Sequence, residues 1–373
     1  DRLYHEADGK GYIDNGFTHV FLISAEGSGI SQLTSGDFNH LGPLSWSKSN
    51  SKIYFTSNRS ASWEYEFRNS EIYSVDINDK KINSLTDRNG PDFLPKESPN
   101  GKHIAYLGFT DRVQAYQNTQ LLIMDSNGNN KRVLSYNIDS SISSFYWSSD
   151  NKGIYFTYDK FGDTKIAFLN LEGNSKDLAN NLGGNSIGRP YGGGSFSVSK
   201  NGVIAYTNTS YMHPSELTVV NGKKTNQITN LSYELLENRT LGMVEEVWYK
   251  SSFDNRDIQG WIVYPPNYNS EKEYPFLVEN HGGPISNYGS RFSAEVQLFA
   301  AAGYIVFYPN PRGSTSYGEE FANLLHHNYP AEDYLDVMDG VDFCIKKGIA
   351  NENMLYVTGL KLELAIIKSM YLL

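Results

Sequence analysis

A serine-led stretch recurs at near-constant spacing through residues 1–232. Ser47-Lys48-Ser49-Asn50-Ser51-Lys52-Ile53-Tyr54-Phe55 aligns with Ser98-Pro99-Asn100-Gly101-Lys102-His103-Ile104-Ala105-Tyr106, and residues 148–156 and 199–206 follow the same plan. The leading serines, Ser47, Ser98, Ser148 and Ser199, stand 51, 50 and 51 positions apart. Each unit reads as a polar turn feeding a β-rich strand. A second strand pattern follows, at 71–76, 120–125, 165–170 and 216–220. Several units then close on a Leu-Thr-like end, as in Leu33-Thr34, Leu85-Thr86 and Ile228-Thr229. A period of this length, with several short strands and turn residues per copy, marks a β-propeller blade. Four full copies and a partial one at 11–34 predict a partial all-β propeller of about four to five blades. The 33 glycines fit the many tight turns this requires.

From residue 233 the pattern changes. Residues 230–246 read as a linker, then 247–252 and 258–264 as two strands around the turn Asp254-Asn255-Arg256-Asp257. Pro265-Pro266 closes the second, since proline cannot donate to a ladder. Further strands are expected at 275–280, 304–308 and 354–358. Helices are expected at 293–302, with Val296, Leu298, Phe299 and Ala302 apolar, and at 331–347. In the longer helix Tyr334, Val337, Met338, Val341 and Ile345 have the spacing of one buried stripe. Apolar runs ending in glycine-containing turns, with helices between them, imply parallel βαβ units with working loops at the strand ends. Residues 233–373 are therefore read as a second, α/β domain.

The motifs lie at those strand ends. His281-Gly282-Gly283-Pro284 follows one strand, and Asn310-Pro311-Arg312-Gly313-Ser314-Thr315-Ser316-Tyr317-Gly318 follows the next. Together with the context from Phe321 to Asp336, they resemble the first half of the α/β-hydrolase domain of the prolyl oligopeptidase family of serine peptidases. The likeness is greatest to its acylaminoacyl-peptidase and dipeptidyl-peptidase branch. The resemblance implies a propeller covering the site, short peptides as substrates and no cofactor. It also implies a serine–histidine–aspartate triad with backbone amides holding the oxyanion. The loop at 281–284 would supply one of those amides, because glycine lets a backbone N–H approach the substrate oxygen. Gly283 is the candidate donor, with Gly282 second. His281 stands near the site without being the general base, and Arg312 would hold loops together through its planar donor fork. Ser314 and Ser316 read as turn serines.

In this family the strand at 355–358 runs into a Gly-x-Ser-x-Gly elbow. Here Gly359 is followed by Leu360-Lys361-Leu362-Glu363-Leu364, and the chain ends at Leu373. Lys361 stands where the nucleophile is expected, and Ser369 lies too far along to replace it. The nucleophile is thus absent, and no catalytic set is complete. A frameshift or premature stop after Gly359 is the expected cause, to be checked by sequencing the locus for an elbow in another frame. An open arc of blades and an unpaired last strand would leave sheet edges in water. The competing readings are a natural pseudoenzyme and a non-catalytic propeller that binds a peptide or partner.

Bulk properties narrow the rest. A net charge of −10 offers no basic excess for nucleic acid. No apolar run approaches the length needed to span a bilayer. The single cysteine, Cys344, excludes an internal disulfide framework and sits where a small buried apolar residue is expected. Asp333, Asp336, Asp339 and Asp342 recur every third residue of the long helix and read as a solvated face. The histidines show no metal-ligand spacing, so no metal is expected, and His326-His327 beside a Tyr-Pro turn read as surface residues.

Overall fold

A computed structural model describes residues 16–359, together with the short strands His5–Glu6 and Gly11–Tyr12, which pair with each other. Lys361 and Ser369 lie outside the described residues. Four four-stranded antiparallel sheets follow one another along the chain. The first comprises Leu41–Trp46, Lys52–Ser57, Glu71–Asp76 and Ile82–Ser84. The second runs from Asp92–Glu97 to Arg132–Val133, the third from Ile142–Trp147 to Ser175–Ala179, and the fourth from Phe196–Val198 to Lys224–Gln227. A two-stranded pair, Phe21–Leu22 with Ser31–Gln32, precedes them. The architecture is an arc of propeller blades.

Strand alternation explains why the blades stack. Along His103–Gly108, Ile104 and Tyr106 pack with Tyr54 and Ile72 of the first blade. Ala105 and Leu107, pointing the other way, pack with Phe145 and Phe156 of the third. Both faces of a middle blade are therefore apolar, which is why its strands read as near-continuous hydrophobic runs. Burial of each such side chain contributes about 1.5–3 kcal/mol.

The recurring polar residues perform one task in every copy. The hydroxyl of Ser47 accepts the Lys52 N–H at 3.0 Å, and that of Ser98 the His103 N–H at 3.0 Å. Ser148 and Ser199 do the same for Gly153 and Val203, at 3.1 and 3.0 Å. Each serine closes the turn between a blade's first and second strands. At the blade ends Thr34, Thr86 and Thr229 accept the N–H groups of Val20, Ile72 and Leu217, at 2.9, 2.8 and 2.8 Å. Ser135 takes that part for Leu121 in the second blade.

The remaining chain forms one mixed sheet. Its strands are β1 (Val244–Lys250), β2 (Asp257–Val263), β3 (Phe276–Asn280), β4 (Ile305–Asn310) and β5 (Leu355–Gly359), in the order β1-β2-β4-β3-β5. β2 runs antiparallel to both its neighbours, β1 and β4, while β4, β3 and β5 are parallel. Helix α1 (Ala294–Ala301) covers one face and packs Val296 and Ala300 against Trp261, Val306 and Tyr308. Helix α3 (Asp333–Lys346) covers the other, packing Val337, Val341 and Cys344 against Ile262, Phe276 and Phe307. A short helix, α2 (Glu319–Ala322), lies before α3. Cys344 is fully buried, and burial pushes its thiol up to about 12.

Two expectations about the longer helix need correction, and the shorter helix turns only part of its apolar set inward. Leu298 is 69% exposed and Ala302 is exposed, whereas Gln297 faces inward. Gln297 is inside because its amide closes both backbone groups of Gly242 in the linker, at 2.7 and 3.2 Å. In α3 the innermost stripe runs through Asp333, Asp336, Val337, Gly340, Val341 and Cys344, with Tyr334, Met338 and Ile345 at its half-buried margins. The four aspartates do not form a solvated face: Asp333 and Asp336 are buried and only Asp342 is exposed. A three-residue period drifts against the roughly 3.6-residue turn, so such a row winds from inside to outside.

Candidate functional site

The parallel strands β3 and β4 end beside each other, and the loops that follow build the site. All five residues of β3 are buried. The chain leaves the sheet through His281-Gly282-Gly283-Pro284. Gly283 has φ +141°, and a Cβ there would stand 3.1 Å from the Ile285 nitrogen and 3.2 Å from the Ser286 Cβ. Only glycine fits that conformation without strain.

His281 is 7% exposed, with its Nε2 3.0 Å from the hydroxyl of Ser314 and its ring edge-on to Tyr288 at 5.3 Å. A serine beside a histidine invites comparison with a nucleophile and its base. The proton runs the wrong way for that. The Ser314 hydroxyl donates to the Pro311 carbonyl at 2.6 Å, so the imidazole N–H donates to Ser314 and does not withdraw its proton. Ser314 is also fully buried. Burial lowers the His281 pKa to about 4, keeping the ring neutral at pH 7.

The two candidate amides have different surroundings. Gly282 donates its N–H to the hydroxyl of Tyr191, at 2.9 Å. The N–H of Gly283 has no hydrogen-bond partner among the described residues. Behind the loop is a cavity of 30 Å³, lined by Asn280, His281, Gly283, Pro311 and Val337 among others.

Arg312 is 3% exposed and all its donors are engaged within the protein. Its Nε and Nη2 form a two-pronged pair with Asp336 at 2.9 and 2.8 Å, and Nη2 also reaches Ser251 at 2.9 Å. Nη1 and Nη2 contact Asp254 at 3.3 and 3.2 Å. The backbone N–H of Arg312 donates to Asp336 as well, at 2.8 Å. One guanidinium thus ties the β1–β2 hairpin, the loop after β4 and helix α3 together.

Propeller loops meet this region directly. Ser316, with φ +84°, accepts the Gly162 N–H on its hydroxyl at 2.6 Å and the Phe161 N–H on its carbonyl at 3.0 Å. Arg291, 3% exposed, donates to Thr164 at 2.8 Å and faces the half-buried Asp159. His326 is half-buried, because its Nδ1 accepts the Ala115 N–H at 3.0 Å; His327 is exposed as expected. Among the described residues no group of three His, Cys, Asp or Glu is placed to hold a metal, and no helix is long and apolar enough to cross a membrane.

Comparison with known proteins matches both parts of the chain. A family model for the prolyl oligopeptidase family matches residues 290–360, and one for the dipeptidyl peptidase IV N-terminal region matches residues 7–111. The uncharacterized peptidase YuxL of Bacillus subtilis is 33% identical over 208 residues, which is 54% of this chain and 30% of that protein. Dipeptidyl-peptidase 5 of Porphyromonas gingivalis is 26% identical over 307 residues, 80% of this chain and 43% of its own length. A solved acylaminoacyl peptidase in complex with Z-Gly-Gly-Phe-chloromethyl ketone superposes with a TM-score of 0.77 at 20% identity, over 96% of this chain and 54% of that one. The Pyrococcus horikoshii acylaminoacyl peptidase gives 0.70 at 21%, over 85% and 47%. The family models, the relatives and the solved structures all support a likeness to the prolyl oligopeptidase family. It spans less than half the length of the curated relatives it matches.

With that likeness in hand, the fold is a partial propeller followed by part of a hydrolase domain, as the repeat and the strand-end glycines predict. Sequence reasoning missed Tyr191, Arg189, Glu279 and Tyr288. Tyr191 precedes Gly282 by 91 residues, and nothing in its local sequence marks it. Glu279 carried a faint signal, as a charged residue inside an apolar strand. It is fully buried, accepts the Tyr288 hydroxyl at 2.7 Å and lies 3.3 Å from Arg189, and burial raises its pKa.

Proposed function

We propose that this chain is the propeller and oxyanion-loop portion of a serine peptidase acting on short peptides, of the dipeptidyl- or acylaminoacyl-peptidase type. In this reading the 373 residues do not hydrolyse peptides by themselves. The observation that carries it is the pair of amides at the end of β3. Gly282 is occupied by Tyr191, while the Gly283 N–H has no partner among the described residues at the end of two parallel strands. A preorganised N–H at that place would hold the oxygen of a substrate carbonyl as negative charge develops. The printed names of the relatives, dipeptidyl-peptidase 5 and acylaminoacyl peptidase, support the substrate class.

The second amide of such a hole comes from the residue after the nucleophile. Here β5 is followed by Leu360-Lys361-Leu362 in place of Gly-x-Ser-x-Gly, so neither nucleophile nor second donor is encoded there. His281 cannot act as base, since its Nε2 is committed to Ser314.

Two measurements test the proposal. Chromogenic dipeptidyl and acyl-aminoacyl substrates should turn over at the blank rate, and hydrolysis above blank would contradict the second half. Titration of glycine-labelled protein with an N-acetyl dipeptide amide should move the Gly283 amide resonance. A peptide that leaves Gly283 unmoved at millimolar concentration would contradict the first half.

A further inference from the structure

We infer that Tyr191 is a positioning residue: from the propeller, it sets the direction of the Gly283 amide in the hydrolase domain. The inference rests on the oxyanion reading of that amide. A peptide unit is planar, so holding one N–H in a given direction restricts the whole plane between residues 281 and 282 to rotation about that bond. Once Gly282 donates to Tyr191, only the two dihedrals of Gly282 separate that plane from the Gly283 N–H. The hydroxyl of Tyr191 therefore removes one of the main freedoms of a loop rich in glycine.

The hydroxyl can do so only if it is itself held, and it is. Residues 187–191, in the connection between the third and fourth blades, run along residues 288–295. Ile187 and Gly188 accept the N–H groups of Ala294 and Glu295 at 2.7 and 3.0 Å, and Pro190 accepts that of Gly289 at 3.1 Å. The Ser293 hydroxyl adds a bond to the Gly188 carbonyl at 2.8 Å. Arg189 forks onto Glu295 at 2.9 and 3.1 Å. The Tyr191 ring lies 4.8 Å from that of Tyr288, which is fully buried and anchored through its own hydroxyl to Glu279. Gly289 could carry no side chain here, since a Cβ would collide with the Gly162 carbonyl. The oxyanion loop is thus shaped by a strap belonging to the other half of the molecule, and it reaches its working form only when the propeller is docked.

The experiment uses the 373-residue chain labelled with 15N-glycine, as wild type, Tyr191→Phe and Tyr211→Phe. Tyr191→Phe keeps the ring on Tyr288 and removes only the hydroxyl. Tyr211→Phe removes a different phenol of the same interface, which donates to Ser290 at 2.8 Å and accepts from Trp261 at 2.8 Å. The Gly282 amide should be protected from hydrogen exchange in wild type. Exchange should accelerate by roughly tenfold in Tyr191→Phe, the worth of one ordinary hydrogen bond, and stay unchanged in Tyr211→Phe. The peptide-induced movement of the Gly283 resonance should also vanish in Tyr191→Phe and persist in Tyr211→Phe. Three results would overturn the inference: an unprotected Gly282 in wild type, equal acceleration in both variants, or a Gly283 response that survives in Tyr191→Phe. A Gly283 that ignores peptide in wild type would instead sink the functional reading, with the exchange data still deciding the role of Tyr191.

Discussion

The blades and the hydrolase sheet are held together by different kinds of bond. In the blades one local device is repeated: Ser47, Ser98, Ser148 and Ser199 each close a turn on a backbone N–H four or five residues ahead. In the hydrolase sheet each fixing contact occurs once and joins distant positions, as with Arg312 and Asp336, Gly282 and Tyr191, or Gln297 and Gly242. A repeated local bond can be lost at modest cost, because its neighbours do not depend on it. A unique buried charge pair cannot. The working loops lie on the second kind of scaffold, so their geometry depends on a few irreplaceable contacts.

The largest expected effect follows from Arg312→Met. It leaves Asp336, fully buried, without its cation, and the loss should be about 3–5 kcal/mol. Denaturant midpoints measure it, and a loss below about 1 kcal/mol would erase the proposed difference between the two regions.

The pH dependence should have limbs of both signs, the rising one set by His281 and the falling one by buried carboxyls such as Glu71, Asp92 and Glu279. His281 is held at about 4, below the usual histidine value, so the unfolded chain takes up its proton first. Its contribution is complete above about pH 6.5 and is lost as pH falls to 4, by an amount on the order of 3 kcal/mol. Burial pushes Glu71 up to about 7 and Asp92 up to about 6 in the blades. Their contributions are complete below about pH 4 and fade as pH rises to 6 or 7. Unfolding followed across pH should therefore lose its rising limb in His281→Gln and have a shallower falling limb in Glu71→Gln. A limb unchanged by its own substitution would assign that titration to other groups.

The smallest effects belong to the turn serines. Ser47→Ala, Ser98→Ala and Ser148→Ala should each cost about 1 kcal/mol. The three sites are in separate blades, so the losses should add to within about 0.5 kcal/mol. Strong non-additivity would mean that the turns are coupled, against the local character assigned to them.

The same contrast explains what could be read in advance. Repetition made the blades legible: a serine, a β-rich run and a Leu-Thr end recurring near fifty residues placed every blade. The strand-end motifs do follow strands, since β3 ends at Asn280 beside His281 and β4 at Asn310, ahead of Pro311 and Arg312. What stayed hidden was set by tertiary partners. Asp336 looked solvated until Arg312 was seen to reach it, and Tyr191 gave no sign of its link to Gly282. Local pattern records periodicity, and a contact made once across many residues leaves no period to detect.

The central claim is that this chain carries a peptidase scaffold and half an oxyanion hole, with no activated serine. The most direct test is a fluorophosphonate probe followed by peptide mass spectrometry of the intact 373-residue protein. The account predicts no labelled serine, because Ser314 is buried with its proton on the Pro311 carbonyl and Ser316 is held by Gly162. Stoichiometric labelling at Ser314 or Ser316, together with loss of any peptide turnover, would contradict it.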